Sequence, residues 1–360
     1  MSSENVSDPT RSFTQAVSLL FRGAIRGELY PYDVIMKIIH GLTVLQRHYN
    51  LHVIKVTRKY LNLKGTYATI YVLLGLYSEL WDVVLERLYH YNVEFDVVLV
   101  NPGGFHGDKA INLAKSYGFS YVELQPNNIE CAQNYVINNV IKSHLVIKMD
   151  DDVFLTKYTI RNLIRAYKRV KEEGIDIGFL APVLNVNNVS YVAFLKTLNL
   201  IDEYTRLFER PIFARHWRKQ KIWYDPMAAR WIWEKSLPLN HIAEIFANMN
   251  AGLYELIPVR FSINCILFER TFLLKHYGFS SAGPRISARV SNRIRSIPIS
   301  IGTIVSSDED SINFYADNGM RARILALDSF AGHLAYFPQR ELMLKWFLEN
   351  KNKLLEDLKG

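Results

Sequence analysis

The chain has 360 residues, 49% of them hydrophobic and 22% charged, with a formal net charge of +8. This is the balance of a globular protein with ample length for a core, and it excludes a disordered or low-complexity chain. No run approaches the ~20 apolar residues that cross a bilayer, and the polar stretch Met1 to Ser12 does not read as a signal peptide.

In chain order, residues 1–66 read as a basic helical extension. Phe13, Val17, Leu20 and Ala24 recur at helical spacing, and Ile35, Ile38, Ile39, Leu42 and Leu45 form a second stripe after Pro31 and Asp33. Arg22, Arg26, Lys37, Arg47, Lys55, Arg58 and Lys59 decorate that stretch, so it suits packing on a main domain or attachment to a membrane surface. From Tyr67 the pattern alternates. "YATIYVLLGL" is a buried strand and "SELWDVVLERLYHYN" a helix. "FDVVLVNPGG" is a second strand, "HGDKAINLAKSYGF" a helix, "SYVELQP" a third strand and "IECAQNYVINNVIKSH" a helix. "HLVIKM" is a fourth strand, delivering Asp150, Asp151 and Asp152. The alternation predicts an α/β domain with a mostly parallel central sheet, in which ligands bind beyond the carboxyl ends of the strands. Gly75, Asn101 and the aspartates all fall at such ends.

"YTIRNLIRAYKRVKEEG" reads as a helix and "IDIGFLAPVLNV" as a strand, closing a first half over 67–185. Residues 186–337 form the second half of the same domain. Its early part is aromatic and basic, with Arg206, Trp217, Arg218, Lys219, Lys221 and Trp223 suited to sugar rings, phosphate or lipid headgroups. "RFSINCILFERTFLLKHYGF" returns to strand and helix. Arg285, Arg289 and Arg293 stand at i, i+4 and i+8, one face of a helix, either solvated or gripping an anion. A short strand is expected at "IPISIGTIV", a helix opens at "SSDEDS", and an amphipathic helix fills 338–360. Cys131 and Cys265 have no metal-like spacing and read as buried thiols.

Three features carry chemistry. Asp150 and Asp152, two apart at a strand end, put two carboxylates on one side of the backbone, which suits Mg²⁺ or Mn²⁺. A helix cap would need one Asp, not three. Asp308, Glu309 and Asp310 form a second acidic cluster, equally compatible with a capped helix start. His333 in "FAGHLAY" is a lone histidine among apolar residues, which alone suggests packing.

Their order resembles the nucleotide-sugar glycosyltransferases of the GT-A fold, closest to the large family-2 group, from about Tyr67 to Phe337. "VIKMDDDVFL" resembles that family's DXD motif and "DED" its xED motif. "HYGFSSAGPRIS" is similar to its glycine-containing loop, and His333 to its C-terminal histidine. "AQNYVINNV" is similar to a helix that often reads Ala-Arg-Asn, with Gln133 in place of the arginine. "KMDDDVF" also resembles the β-1,3-galactosyltransferases.

The resemblance implies a Rossmann-like three-layer sandwich and an inverting, metal-dependent transferase. Asp150, Asp152 and His333 would hold Mn²⁺ or Mg²⁺, with Asp150 and Asp151 also able to touch ribose. Gly75, Asn101, Asn134 and Glu309 would bind the nucleotide sugar, and Asp310 would be the general base. On the chemistry of their own stretches, beside the resemblance, Trp217 and Arg218 would contact acceptor and Arg285 and Arg289 a phosphate or an anionic acceptor. The partners implied are a nucleoside-diphosphate sugar and a saccharide, lipid-linked or protein acceptor. Apart from the resemblance, the polar start and the lack of a spanning run read as a cytoplasmic protein, with peripheral contact of the basic extension at the inner membrane face as an option.

Two other readings compete. "VIKMDDDVFL" also resembles the haloacid-dehalogenase phosphohydrolases, where the first Asp is the nucleophile but stands on the first strand. A non-catalytic sugar- or RNA-binding module would use the basic-aromatic stretch, and nucleic acid rests on charge alone.

Overall fold

The computed structural model describes residues 54–358 apart from 76, 93, 213–219, 277, 280–284, 291–292 and 299–307. The helical reading of residues 1–53 lies outside the described residues. The last part of that predicted extension is not helical: Lys55–Tyr60 form strand β1 at the edge of the sheet, paired antiparallel with Ser120–Gln125.

Within the described residues the expected α/β architecture with a mostly parallel central sheet is the one observed. β2 (Ala68–Leu73), β3 (Asp96–Pro102), β4 (Ser120–Gln125) and β5 (Leu145–Asp150) run parallel in the order β4-β3-β2-β5. Helices α1 (Trp81–Tyr91), α2 (Gly107–Tyr117) and α3 (Ile129–Asn139) connect them. β2 and β3 are buried along their whole length, which explains their unbroken apolar, β-branched sequences. Gly118, at φ 69°, ends α2 in the left-handed conformation that a Cβ disfavours. The Asn128 side chain starts α3 by accepting from the Cys131 N–H.

β6 (Val153–Leu155), α4 (Thr159–Glu172) and β7 (Ile177–Leu184) follow, and then five helices where the sequence pattern fades. These are α5 (Tyr191–Thr197), α6 (Ile201–Leu207), α7 (Lys221–Tyr224), α8 (Pro226–Lys235) and α9 (Leu239–Met249). β8 (Tyr254–Leu256) precedes β9 (Cys265–Glu269), which inserts antiparallel between β5 and β7. Because β9 runs against its neighbours, its start, and Ser262 to Asn264 before it, lies at the carboxyl rim. α10 (Arg270–Lys275) follows β9.

Arg285–Val290 and Arg293–Pro298 are strands β10 and β11 of a hairpin, with Arg289 opposite Ile294. The predicted arginine face on a helix is therefore corrected. Spacing of four also fits an extended chain of period two, and Ile286, Val290, Ile294 and Ile297 favour strand. α11 (Asp308–Asn318), the long β12 (Ala322–His333) and α12 (Arg340–Glu356) complete the chain. β12 pairs in parallel with β7 and antiparallel with β6 and β8.

Arg87 of α1 is fully buried and fastens the last helix to this frame. It donates to the Leu155 carbonyl at 2.6 Å, the Leu354 carbonyl at 2.7 Å and Asp357 Oδ2 at 2.9 Å. Both cysteines are buried and free, and no described helix is long and apolar enough to cross a membrane.

Candidate active site

The register of the sheet assembles the site. Leu73 of β2 pairs with Asp150 of β5, and His333 of β12 pairs with Val153 of β6. The turn between β5 and β6 thus lies between Gly75 on one side and His333 on the other. A cavity of about 410 Å³ opens there, walled by Gly75, Tyr77, the three aspartates and His333, and also by Asp308, Glu309 and Arg340. A larger hollow of about 590 Å³ lies beside the C-terminal helix, but its Lys157 and Glu244 already pair with each other and it contains none of the predicted residues.

The three aspartates have different surroundings. Asp150 Oδ1 accepts from the Lys148 ammonium at 2.5 Å and its Oδ2 from Asn264 Nδ2 at 3.1 Å. Burial raises its pKa to about 6, with Lys148 opposing and Asp152 adding to the rise. Asp151 turns inward, and its Oδ2 accepts from the Gly75 N–H at 2.7 Å and the Trp81 indole at 2.8 Å. Burial, reinforced by Asp152, raises it to about 7 against the pull of those two bonds. Asp151 is thus a brace between the first and fourth predicted strands. Asp152 Oδ2 lies 3.5 Å from His333 Nε2, and the Asp152 carbonyl accepts from the Leu334 N–H.

His333 is held in one orientation. Its Nδ1 is 2.5 Å from the Val186 carbonyl, which can only accept, so Nδ1 carries the hydrogen. Nε2 is left facing Asp152, and in neutral histidine it offers a lone pair there. Burial works against a charge on His333, but Asp152, the Val186 carbonyl and Asp150 together outweigh it and the pKa is raised. The backbone is pinned as well, since Trp233 Nε1 donates to the carbonyls of His333 and Leu334 at 3.0 and 2.9 Å.

Among the described residues, no three His, Cys, Asp or Glu side chains converge as a ready metal site. Of the predicted ligands, Asp152 and His333 come together, while Asp150 is turned to Lys148 and Asn264. One carboxylate and one imidazole nitrogen at the wall of an open cavity fit Mn²⁺ or Mg²⁺, which complete their shells with water and phosphate oxygen.

The second acidic cluster opens α11 over the same cavity. Asp308 Oδ2 accepts from Gln133 Nε2 at 2.9 Å, and Gln133 Oε1 accepts from the Tyr71 hydroxyl at 2.7 Å. Gln133, standing where the resemblance expects arginine, therefore ties β2 and α3 to α11. Arg260 pairs with Glu309 Oε1 at 2.9 Å through Nε and with Asp310 Oδ1 at 2.6 Å through Nη1. Asp308 and Glu309 line the cavity, and Asp310 is not among its walls. Burial pushes Glu309 up to about 7, Arg260 pulling it down and Asp308 and Asp310 adding to the rise.

Other predicted residues are placed elsewhere. Asn101 is fully buried and donates to the Phe105 carbonyl and the Tyr121 hydroxyl, both at 3.0 Å, holding the turn after β3 rather than lining the cavity. Asn134 makes a reciprocal pair with the Phe279 backbone, at 2.8 and 2.7 Å. A Cβ on Gly278 would come within 2.2 Å of Asn134, so glycine is needed at that contact. Trp217 and Arg218 lie outside the described residues, and Arg285 and Arg289 are in the hairpin.

Several contributors carried no assignment from the sequence. Arg340 stacks over Tyr77 at 4.1 Å and adds fixed positive charge to an acidic wall. Arg260, Trp233 and Gln133 act through contacts distant in the chain. Lys148 alone had a legible signal: one lysine inside the apolar run "LVIKMD", two residues before Asp150 and so on the same face of the strand.

No protein-family model and no curated protein sequence matches the chain. Solved structures resemble it distantly, among them the following two. The mannosyltransferase PcManGT from Pyrobaculum calidifontis, in complex with GDP-Man and Mn²⁺, has a TM-score of 0.43 and 14% identity, covering 90% of this chain and 73% of that one. Glucosyl-3-phosphoglycerate synthase from Mycobacterium tuberculosis, in complex with Mn²⁺, UDP and glucosyl-3-phosphoglycerate, has a TM-score of 0.33 and 13% identity, covering 82% and 81%.

Proposed function

We propose that the chain is a metal-dependent glycosyltransferase that moves a sugar from a nucleoside-diphosphate sugar to a saccharide hydroxyl, with inversion. The observation that carries this reading is the Asp152–His333 pair at the rim of a cavity whose other wall is the acidic start of α11. The motif order of the sequence supports it independently. The cavity, about 410 Å³, falls within the 300–1,000 Å³ range common for small-molecule sites.

In this reading Asp152 and His333 hold the cation, which supplies Lewis acidity to the departing diphosphate. Arg340, steadied on Tyr77, adds positive charge beside the phosphates. The acceptor oxygen forms a bond to C1 as the bond from C1 to the diphosphate oxygen breaks, and a carboxylate takes the acceptor proton. The motif points to Asp310 as that base. The geometry favours its neighbour Glu309, which lines the cavity and whose raised pKa suits proton transfer near neutrality.

The test is a panel of nucleotide sugars incubated with saccharide acceptors, with Mn²⁺, with Mg²⁺ and with chelator, and read by mass spectrometry. Transfer or donor hydrolysis that chelator abolishes is the expected result. Metal-independent phosphate release with no donor bound would overturn the reading and revive the phosphohydrolase, which no observation in the structure favours.

A further inference from the structure

Gln133 of α3 and Tyr71 of β2 are fully buried and stand outside the walls of the cavity. The Tyr71 hydroxyl is 2.7 Å from Gln133 Oε1, and Gln133 Nε2 is 2.9 Å from Asp308 Oδ2. A carboxylate accepts, so the amide nitrogen faces Asp308, the amide oxygen is left to Tyr71, and the Tyr71 hydroxyl donates. The chain of bonds therefore has one direction, from Tyr71 through Gln133 to Asp308. An arginine at this position would have no acceptor for Tyr71, and an apolar side chain would serve neither end. Asp308 passes the constraint on, because its Oδ1 accepts the Glu309 N–H at 2.9 Å. Further along α11, Asn313 donates to the Phe261 carbonyl at 2.9 Å and accepts the Phe261 N–H at 3.0 Å. Arg260 also grips Glu309 and Asp310, but its side chain is 42% exposed, where water weakens an ion pair. The bond from Gln133 to Asp308 anchors the first turn of α11 from the buried side.

We propose that Gln133 is a positioning residue that, through Asp308, holds the first turn of α11 against the cavity and so sets where Glu309 and Asp310 stand relative to the acceptor hydroxyl. This rests on the transferase reading above and holds whichever of the two carboxylates takes the proton. A base displaced by about 1 Å can lose about 10²-fold in rate although the substrate still binds. Gln133 does not line the cavity, so its loss acts on turnover and spares the binding of the nucleotide.

The experiment measures kcat of the full chain with the donor found active in the panel above and, separately, the affinity for UDP or GDP with Mn²⁺ by calorimetry. Gln133→Met should lower kcat about 10–100-fold. Nucleotide affinity should change by about twofold or less. Gln133→Glu sets two carboxylates face to face and should lose at least as much turnover. Gln133→Glu/Asp308→Asn exchanges donor and acceptor: the new carboxylate accepts from Tyr71 and from the new amide. This double variant should regain about tenfold in kcat over Gln133→Glu, a recovery that a general loss of packing would not give. If Gln133→Met does not fold, Tyr71→Phe removes a single oxygen from the same chain of bonds and should lower kcat severalfold. Unchanged kcat, a fall in nucleotide affinity parallel to the fall in kcat, or no recovery in the double variant overturns the inference and leaves the glycosyltransferase reading standing. Wild-type protein that transfers no sugar from any donor overturns that reading and this inference with it.

Discussion

Trp233 of α8 is the support on which His333 rests, and removing part of it should disturb stability and the site together. The indole is fully buried, edge-on to Phe154 at 5.4 Å and tilted on Trp346 at 5.1 Å. Its single N–H is shared by the His333 and Leu334 carbonyls, and its ring lies against Gly332, where an added Cβ would come within 2.5 Å of Cη2. Trp233→Phe leaves those carbonyls without their donor, costing about 1–3 kcal/mol. The lost ring volume, of order 40 Å³, adds about 1 kcal/mol at ~24 cal/mol per Å³. The expected destabilisation is about 2–4 kcal/mol, read by urea unfolding followed by circular dichroism. Gly332→Ala alone should cost about 1–3 kcal/mol by overpacking. The double variant should cost less than the sum by about 1 kcal/mol, because phenylalanine lacks the atom that the new methyl would strike. A Trp233→Phe protein within about 0.5 kcal/mol of wild type, with strictly additive effects in the double variant, would refute this account of how His333 is held.

The Arg87–Asp357 pair gives a second stability test: Asp357→Ala strands a buried guanidinium and should cost about 3–5 kcal/mol, while Arg87→Met/Asp357→Leu should recover most of it in the same unfolding assay. Glu309 predicts a pH dependence, because a base with pKa near 7 works only when deprotonated. Transfer should fall as pH drops below about 7, Glu309→Gln should lose about 10²–10⁴ in rate, and Asp310→Asn should retain more activity. The opposite ranking of the two variants would return the base to Asp310. The same raised pKa makes the folded protein bind a proton that the unfolded chain holds less tightly. Its contribution to stability is full below the ordinary glutamate range, is lost as pH rises through about 7, and should vanish in Glu309→Gln when unfolding is measured across that window.

The alternation of β2 to β5 with α1 to α3 was legible because strands buried on both faces have unbroken apolar sequences and the helices between them are amphipathic. The five helices described between Tyr191 and Met249 were not. They are short, and tertiary contacts such as the stacking of Phe194 and Phe246 with Phe330 of β12 stabilise them more than local spacing does. The arginines from Arg285 to Arg293 misled because a spacing of four is common to a helix face and an extended strand. Asn101 and Asn134 stand at the expected positions in the chain, yet each is consumed by a nearby polar group that no local pattern announces.

The sequence by itself determined which acidic residues and which histidine reach the carboxyl rim, since strand ends follow from local patterns of burial. Only the tertiary structure decided what each of them does there. A buried carboxylate needs a donor, and most donors come from distant parts of the chain: Gly75 and Trp81, 76 and 70 residues away, claim Asp151, and Asn264 with Lys148 claims Asp150. Asp152 is the member of the triplet left beside His333. Three identical side chains in a row become a brace, a counter-ion and the neighbour of a histidine because the packed fold offers each a different partner.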